Sequence, residues 1–370
     1  MLTDLYSLEH VTISQSDLNR IMGRHEHYLA KQGGVRALLR SAKLDGLVLA
    51  NRDLSEADLS GVSLVGANLY GTRLAHASLY CADLRDSDLR NAHLEYADLR
   101  GASFKGADLA YAVMNYADMR AATMMFVGDK YKVTGNAQNE APFGAVNFSN
   151  CSLRQVSFGN AKLANANFTD ALLHGAMFRG AQLENACFRG AILLGVNLAE
   201  LNVPPEALKD SLTTPSSAAQ ARAKDLLAMV KAHHEWVVSE SKKGNPANID
   251  GGDLRPLGTA LKSLSLAGLS ACNVVAVSVD FSGCQLQAAK FDGSDLRAAS
   301  FDDTDLSGVS FDGAKLAHAS FRNARIDDFI LSNGEVLRAR ADGAQVVAAQ
   351  FGNARSRTAT FISALSKRSL

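Results

Sequence analysis

Residues 82–101 read ADLRDSDLRNAHLEYADLRG and carry the pattern that decides the fold. A large apolar residue recurs at every fifth position from Leu44 to Met124 without interruption. A small residue, usually Ala, stands two positions before most of these, and Asp is the commonest residue between the two. A period of five fits neither an α-helix nor a β-strand. A fixed period over so long a stretch indicates a solenoid built from stacked copies of one unit.

This A-(D/N)-L-x-x unit resembles the repeat of the pentapeptide repeat family. The resemblance implies a mainly β fold, a right-handed quadrilateral parallel β-helix in which each unit forms one of four sides. It also implies that the middle Leu or Phe and the small residue two before it point inward, while the other three positions face solvent. The repeat describes a scaffold, so the resemblance specifies a fold more than a function.

Composition restricts the classes of partner and compartment. The chain has 370 residues, with 38 basic and 38 acidic side chains and no formal net charge. It is therefore neither a wholly basic nucleic-acid binder nor a wholly acidic mimic, and we expect no direct binding of nucleic acid. The five cysteines have no metal or disulfide spacing, which favours reduced thiols in a cytoplasmic protein. No signal peptide and no membrane span are expected.

The chain divides into four expected segments. A cap helix occupies 1–35, a first β-helix 36–201, a linker with a second cap helix 202–250, and a second β-helix 251–370. A segment rich in turn-forming residues, 125–143, interrupts the first β-helix. A loop of this length inside a solenoid is either a tolerated insertion or a functional element.

Phe and Leu alternate at the core positions from Phe148 to Leu193, and Leu198 continues the series. A three-sided coil would mix the two residue types on every side, whereas a four-sided coil keeps Phe on two opposite sides. The alternation therefore supports four sides. In the second β-helix, we expect the register to hold from Phe281 to Leu331 and then to decay.

The two cap helices look like a tandem duplication, because each precedes a repeat block and their apolar faces match in sequence. Ser16 or Asp17 is expected to cap the first helix, which runs to about Lys31. Ser216 or Ser217 caps the second, which runs to about Ser241. The first face consists of Leu18, Ile21, Met22, His25, Tyr28 and Leu29, and the second consists of Leu226, Met229, Val230, His233, Trp236 and Val237. An open β-helix end exposes unpaired backbone groups, so each helix is expected to cover a first coil.

Two outward columns are candidates for a binding surface. If four units make one coil, residues 20 apart stack in adjacent coils about 4.8 Å apart. One column, at a corner, consists of His76, Tyr96 and Tyr116. Another, on a flat side next to Asp98 and Asp118, consists of Tyr80, Arg100 and Arg120. The columns are either a self-paired, solvated face or a partner-binding face, since exposed Tyr and Arg are enriched at hot spots.

Catalysis is not expected. No nucleophile, base and orienting group share a recognisable spacing, and the pairs His25/His27 and His233/His234 do not make a metal site. We therefore expect no enzyme activity, no cofactor and no metal. The glycines at the corners, such as Gly71, serve backbone turning.

Two functions remain. One is a non-catalytic scaffold for protein–protein interaction, with Tyr96, Tyr116, Arg100 and Arg120 as candidate contacts. The loop adds Lys130, Tyr131 and Lys132. The other function is implied by the resemblance, because some family members are acidic, DNA-like rods that bind DNA gyrase and inhibit it or protect it from quinolones. The neutral charge departs from that pattern. A homodimer through a β-helix end is also possible.

Overall fold

The computed structural model describes residues 11–122, 146–346 and 349–355. It divides the chain into two compact units, Met1–Thr214 and Pro215–Leu370. The division falls inside the linker that we assigned to 202–250, so the central helix belongs to the second unit.

The first described helix of this unit is α1, Gln15–Leu29. Its N-cap is Ser14 and not the expected Ser16 or Asp17, because the Ser14 hydroxyl oxygen accepts the Asp17 N–H at 3.1 Å. Asp17 instead places a negative charge in the first turn, which the helix dipole favours. The helix ends before Lys31, which has a left-handed φ of 55°.

Four successive repeats of the pentapeptide make each regular coil of the first unit. Isolated parallel bridges join the residues that precede the core positions, such as Val48 with Asn68 and Asn68 with Asp88. At each corner one residue adopts a positive φ, as Gly71 does at 62° and Asn91 at 58°, and the chain turns there. In the described part of this unit, turns and single bridges make up the coils and no extended strand forms.

Large apolar side chains fill the interior of the coil. The Leu, Phe and Met side chains at the core positions from Leu44 to Met119 are buried, with the alanines two before them. Phe148 stacks on Phe168 at 5.0 Å, and Phe158 stacks on Phe178 at 4.9 Å. Since four repeats complete a coil, these two columns lie on opposite sides, as the Phe/Leu alternation predicts. The right-handed winding stays a prediction.

The first β-helix contains an insertion and extends further along the chain than expected. Asp108 bridges to Asn147, which lies much further along the chain than one regular coil, so an insertion separates consecutive coils. The expected loop, 125–143, lies outside the described residues. The β-helix also continues beyond the expected end at 201, because Ile192 bridges to Leu212.

We expected Leu198 to be a core residue, but it is exposed. Asn197 caps a 3-10 helix, Leu198–Glu200, by accepting the Ala199 N–H at 3.3 Å, and this turn leaves Leu198 exposed. Leu201 is buried instead.

The second unit begins with helix α2, Ser217–Val238. Ser216 caps it by accepting the Ala219 N–H at 3.1 Å, and the helix ends before the expected Ser241. A 3-10 helix, Arg255–Leu257, makes the first coil slightly longer, so that Asn248 bridges to Ser270. The following coils have the regular length of four repeats as far as the bridge between Asp305 and Arg325.

A β-hairpin interrupts the second β-helix where we expected continued register. Strands β1, Phe329–Ile330, and β2, Val336–Leu337, pair antiparallel. The expected core position Leu331 is therefore only half-buried beside the turn, and Val336, where we expected the register to weaken, is exposed. The reason is a tight turn over residues 331–334, in which the Gly334 N–H donates to the Leu331 carbonyl at 2.9 Å and Gly334 has a φ of 85°.

The second β-helix resumes after the hairpin, and within the described residues its bridges continue as far as Arg355, where we expected the register to decay. Ser310 bridges to Arg340 on the far side of the hairpin, and Val346 is buried. Phe351 stacks on Phe321 at 5.0 Å, so the Phe column continues across the insertion.

Candidate functional site: a tyrosine edge of the first unit

Three aromatic rings stack along one corner of the first β-helix. The ring centroids of His76 and Tyr96 are 4.9 Å apart and those of Tyr96 and Tyr116 are 4.8 Å apart, with nearly parallel planes. All three residues have a φ near 60°, which places their side chains outward at the corner. Tyr96 and Tyr116 remain 53% and 52% exposed, so stacking covers the ring faces but leaves edges and hydroxyls accessible.

A ladder of ion pairs runs beside this corner. The Arg100 guanidinium bonds Asp98 at 2.7 Å, and Arg120 bonds Asp118 at 2.6 Å. Arg100 also lies 3.8 Å from Asp118, which links the two coils. We call the following set the tyrosine edge: His76, Tyr96, Tyr116, Asp98, Arg100, Asp118 and Arg120. Its two carboxylates balance its two guanidinium groups.

Ion pairing shifts the pKa values of Asp118 and Arg100 towards their charged forms. Burial acts to raise the pKa of Asp118, but hydrogen bonds and charge from Arg120 outweigh it and lower that pKa. The hydrogen bond and charge of Asp98 raise the pKa of Arg100. Arg100 also lies over the Tyr80 ring at 5.3 Å, so the expected Tyr80 column is in contact with the ladder.

The aspartates before the core positions also have a backbone role that explains the repeat. Asp98 accepts the N–H of Arg100 at 3.2 Å, and Asp280 accepts that of Ser282 at 2.8 Å. In both cases the carboxylate bonds the N–H two residues on. An Asp or Asn before the core residue therefore satisfies a donor within its own turn.

Aspartates of the second β-helix also accept backbone N–H groups, but from the next coil. Asp292 accepts the N–H of Asp312 at 3.1 Å, and Asp312 accepts that of Asp342 at 2.8 Å. Arg340 bonds the other carboxylate oxygen of Asp312 at 3.1 Å. These carboxylates thus join successive coils.

A second Tyr–Arg ladder offers an internal comparison. Arg90 lies over the Tyr70 ring at 5.8 Å and bonds Asp88 at 2.8 Å. These residues lie ten positions from Tyr80, Arg100 and Asp98, and therefore on the opposite side of the coil. The neighbouring corner carries Asn51, Gly71 and Asn91 beside a shallow depression of about 490 Å³. This side has the same residue types in its ladder but no stacked, half-exposed tyrosines among its described residues.

The expected cap faces are partly correct. Leu18 and His25 are buried on α1, as are Leu226 and His233 on α2. Ile21 and Trp236 are half-buried, but Tyr28 and Met229 are exposed, contrary to expectation. Met22 and Val230, which also belong to the expected apolar faces, are buried.

Side-chain hydrogen bonds that the sequence pattern does not predict attach the cap helices to their first coils. The Gln15 amide accepts the Val48 N–H at 2.8 Å and donates to the Val48 carbonyl at 2.9 Å, as a neighbouring strand would. His25 accepts the Ala37 N–H at 3.1 Å, and its other ring nitrogen lies 2.8 Å from the Ser55 carbonyl. The only signal in the sequence is the matched pair His25 and His233.

The remaining candidate chemistry is limited. Lys130, Tyr131 and Lys132 lie outside the described residues. Within the described ranges, no three His, Cys, Asp or Glu side chains are placed to hold a metal ion. Burial raises the pKa of the Cys284 thiol to about 11, and a neutral thiol is a poor nucleophile. None of the described helices is long and apolar enough to cross a membrane.

Solved structures of other repeat proteins resemble parts of the chain. A pentapeptide repeat protein from the Arabidopsis thaliana thylakoid lumen is 25% identical over 36% of this chain and 69% of its own, with a TM-score of 0.22. QnrB1, a plasmid-mediated fluoroquinolone resistance protein, is 19% identical over 51% and 87%, with a TM-score of 0.27. A repeat protein from Nostoc PCC 7120 is 35% identical over 29% and 82%, with a TM-score of 0.17. TM-scores of this size carry no functional argument.

The sequence comparison is more specific. No curated protein sequence matches the chain at a significant level. The family model for pentapeptide repeats matches in eight copies, over residues 35–124, 143–195 and 280–333. These ranges make up more than half of the chain and fall on the bridged coils of both units. The chain therefore belongs to the pentapeptide repeat family.

Proposed function

We propose that this protein is a non-catalytic scaffold, wound as a right-handed quadrilateral β-helix, that binds a protein partner through the tyrosine edge. The observation that carries the proposal is the exposed stack of Tyr96 and Tyr116 beside a fixed ion-pair ladder. Stacking restricts both rings before binding, so little side-chain entropy is lost when a partner packs against them. Exposed tyrosine and arginine side chains of this kind are frequent hot spots.

The charge of the edge favours a protein partner over a nucleic acid. Each arginine of the edge already has a carboxylate partner, so no free row of cations is offered to phosphates. The carboxylates are equally engaged, with an arginine and a backbone N–H each. A gyrase-binding DNA mimic needs rows of unpaired carboxylates, and this edge does not supply them.

Affinity capture from the host with matched variants tests the proposal. We expect Tyr96→Ser with Tyr116→Ser to abolish recovery of the partner, while Tyr70→Ser with Arg90→Gln leaves recovery intact. Both pairs lie outside the core, so melting temperatures should remain close to that of the unaltered protein. A Lys130, Tyr131 and Lys132 to Ser variant shows whether the loop contributes.

Two results would contradict the proposal. One is equal recovery by the tyrosine-edge variant and the Tyr70/Arg90 variant. The other is salt-sensitive inhibition of gyrase supercoiling at sub-micromolar protein, which would favour the DNA mimic.

A further inference from the structure

The two cap helices hold their first coils through the same set of bonds. His25 on α1 and His233 on α2 each accept a backbone N–H at one ring nitrogen, from Ala37 at 3.1 Å and Ala247 at 3.0 Å. The other ring nitrogen lies against a carbonyl, of Ser55 at 2.8 Å and Ala267 at 3.1 Å. An imidazole that accepts at Nδ1 and donates at Nε2 is neutral. Both caps therefore depend on an unprotonated histidine.

The next residue along each helix makes the caps differ. Glu26 follows His25, and its carboxylate accepts the Asp53 N–H at 3.5 Å. His234 follows His233, and its Nδ1 accepts the Ser265 N–H at 3.0 Å. Asp53 and Ser265 occupy equivalent places, directly before the core residue on the last side of each first coil. One cap thus uses a carboxylate where the other uses a second imidazole.

The two acceptors respond to acid differently. Arg52 donates to Glu26 at 2.7 Å and 3.0 Å, and this hydrogen bond lowers the pKa of the carboxyl. Glu26 therefore remains an ionised carboxylate in mild acid. Protonated imidazole has no acceptor left, so it would place an N–H against the Ser265 N–H.

Within the described residues, no carboxylate is paired with His233 or His234 to stabilise their protonated forms. Burial lowers the pKa of His233, which contacts the backbone of Ala247, Leu266 and Ala267 and lies 5.6 Å from the Trp236 ring. His234 contacts the Ser265 N–H. Lys231 and Glu235 on α2 and Lys262 on the first coil are exposed, and within the described residues neither imidazole forms an ion pair.

We propose that the second cap is an acid-sensitive latch, which releases α2 from its first coil when His233 and His234 are protonated, while the first cap stays closed. Release frees the Ser265 N–H and the Ala267 carbonyl at the coil edge and uncovers Leu226 and Val230 on the helix. Such an edge can accept an extended backbone segment, including one from a second copy of the chain.

The first cap has bonds that acid does not remove. The Gln15 amide keeps both of its bonds to Val48. The backbone of Ile13 donates to the Lys43 carbonyl at 3.1 Å. Protonation of His25 therefore loosens the Ala37 contact without opening the whole edge.

Amide hydrogen exchange of the full chain at pH 7.5 and pH 5.0, corrected for intrinsic exchange rates, tests the latch. We expect roughly a tenfold or greater loss of protection at Ala247 and Ser265, because each pH unit below a titrating pKa changes an equilibrium about tenfold. Ala37 should lose less, and Asp53 should change little. Equal loss at the two caps, or no loss at Ser265, would overturn the proposal.

Exchanging the distinguishing residue gives a second, independent result. His234→Glu should move the release of Ser265 to lower pH, and Glu26→His should make Asp53 acid-sensitive. His27→Gln is the control, because that side chain is exposed, and its exchange profile should match the unaltered protein. The readout is the pH dependence within each variant, so a general loss of stability does not obscure it. Unchanged pH dependence in both exchanges would refute the role of His234.

Discussion

At the scale of the residue, the aspartate before each core position is a backbone acceptor as well as a surface charge. Asp280 shows this most simply, because it accepts the Ser282 N–H at 2.8 Å and makes no ion pair within the described residues. Ser282 is buried, so its N–H cannot turn to solvent if the carboxylate is removed. The acidic residues before the core positions consequently stabilise the coil by accepting its backbone N–H groups.

Substitutions at Asp280 separate the two roles of the carboxylate. Asp280→Ala should lower the free energy of unfolding by about 1–3 kcal/mol, because it leaves a buried N–H without an acceptor. Asp280→Asn keeps an acceptor oxygen and should cost clearly less. Urea unfolding of both variants measures the difference. Equal losses would mean that charge, and not the backbone bond, is what the position requires.

At the scale of the element, a glycine of positive φ follows each cap helix and turns the chain back, so that the next residue donates to a carbonyl of the helix. Gly34 has a φ of 92°, and the next N–H, of Val35, donates to the Arg24 carbonyl at 3.1 Å. Gly244 follows α2 with a φ of 72°, and the Asn245 N–H donates to the Ala232 carbonyl at 3.2 Å. A side chain at either glycine would meet these carbonyls.

Gly33 and Gly34 form a matched pair for testing this closure. Both have positive φ, but a Cβ at Gly34 would overlap the Arg24 carbonyl oxygen, while a Cβ at Gly33 meets nothing within 4 Å. Gly33→Ala should cost about 1–2 kcal/mol from backbone strain alone. Gly34→Ala should cost more and should raise amide exchange at Val35. Thermal unfolding of both variants checks this, and equal melting temperatures would contradict the close contact.

At the scale of the whole molecule, the period of five predicts the coil because every five-residue unit adopts the same local structure. One core side chain, one small residue and one corner of positive φ recur, so a single unit determines the path of the chain. The Phe/Leu alternation predicts the number of sides for the same reason. The tyrosine edge is also predictable, since residues separated by four repeats must lie in adjacent coils.

Features that occur once are not predictable from the period. The hairpin of strands β1 and β2 interrupts the second β-helix at the turn over 331–334. Apolar residues nearby keep the spacing of the repeat, so the sequence alone suggests a continuing coil. Within the apolar face expected on each cap helix, the fit to the first coil buries Met22 and Val230 and leaves Tyr28 and Met229 exposed. The bonds of Gln15 and Glu26 depend on side-chain geometry that no periodic pattern encodes.

Photo-crosslinking in the host tests the central claim, binding through the tyrosine edge, most directly. A benzophenone amino acid replaces His76, which stacks on Tyr96 at 4.9 Å, and in a second variant it replaces Tyr70 on the opposite side. The account predicts a discrete crosslinked protein adduct from position 76 that Tyr96→Ser with Tyr116→Ser removes, and none from position 70. An adduct from position 70 with none from position 76 would contradict it.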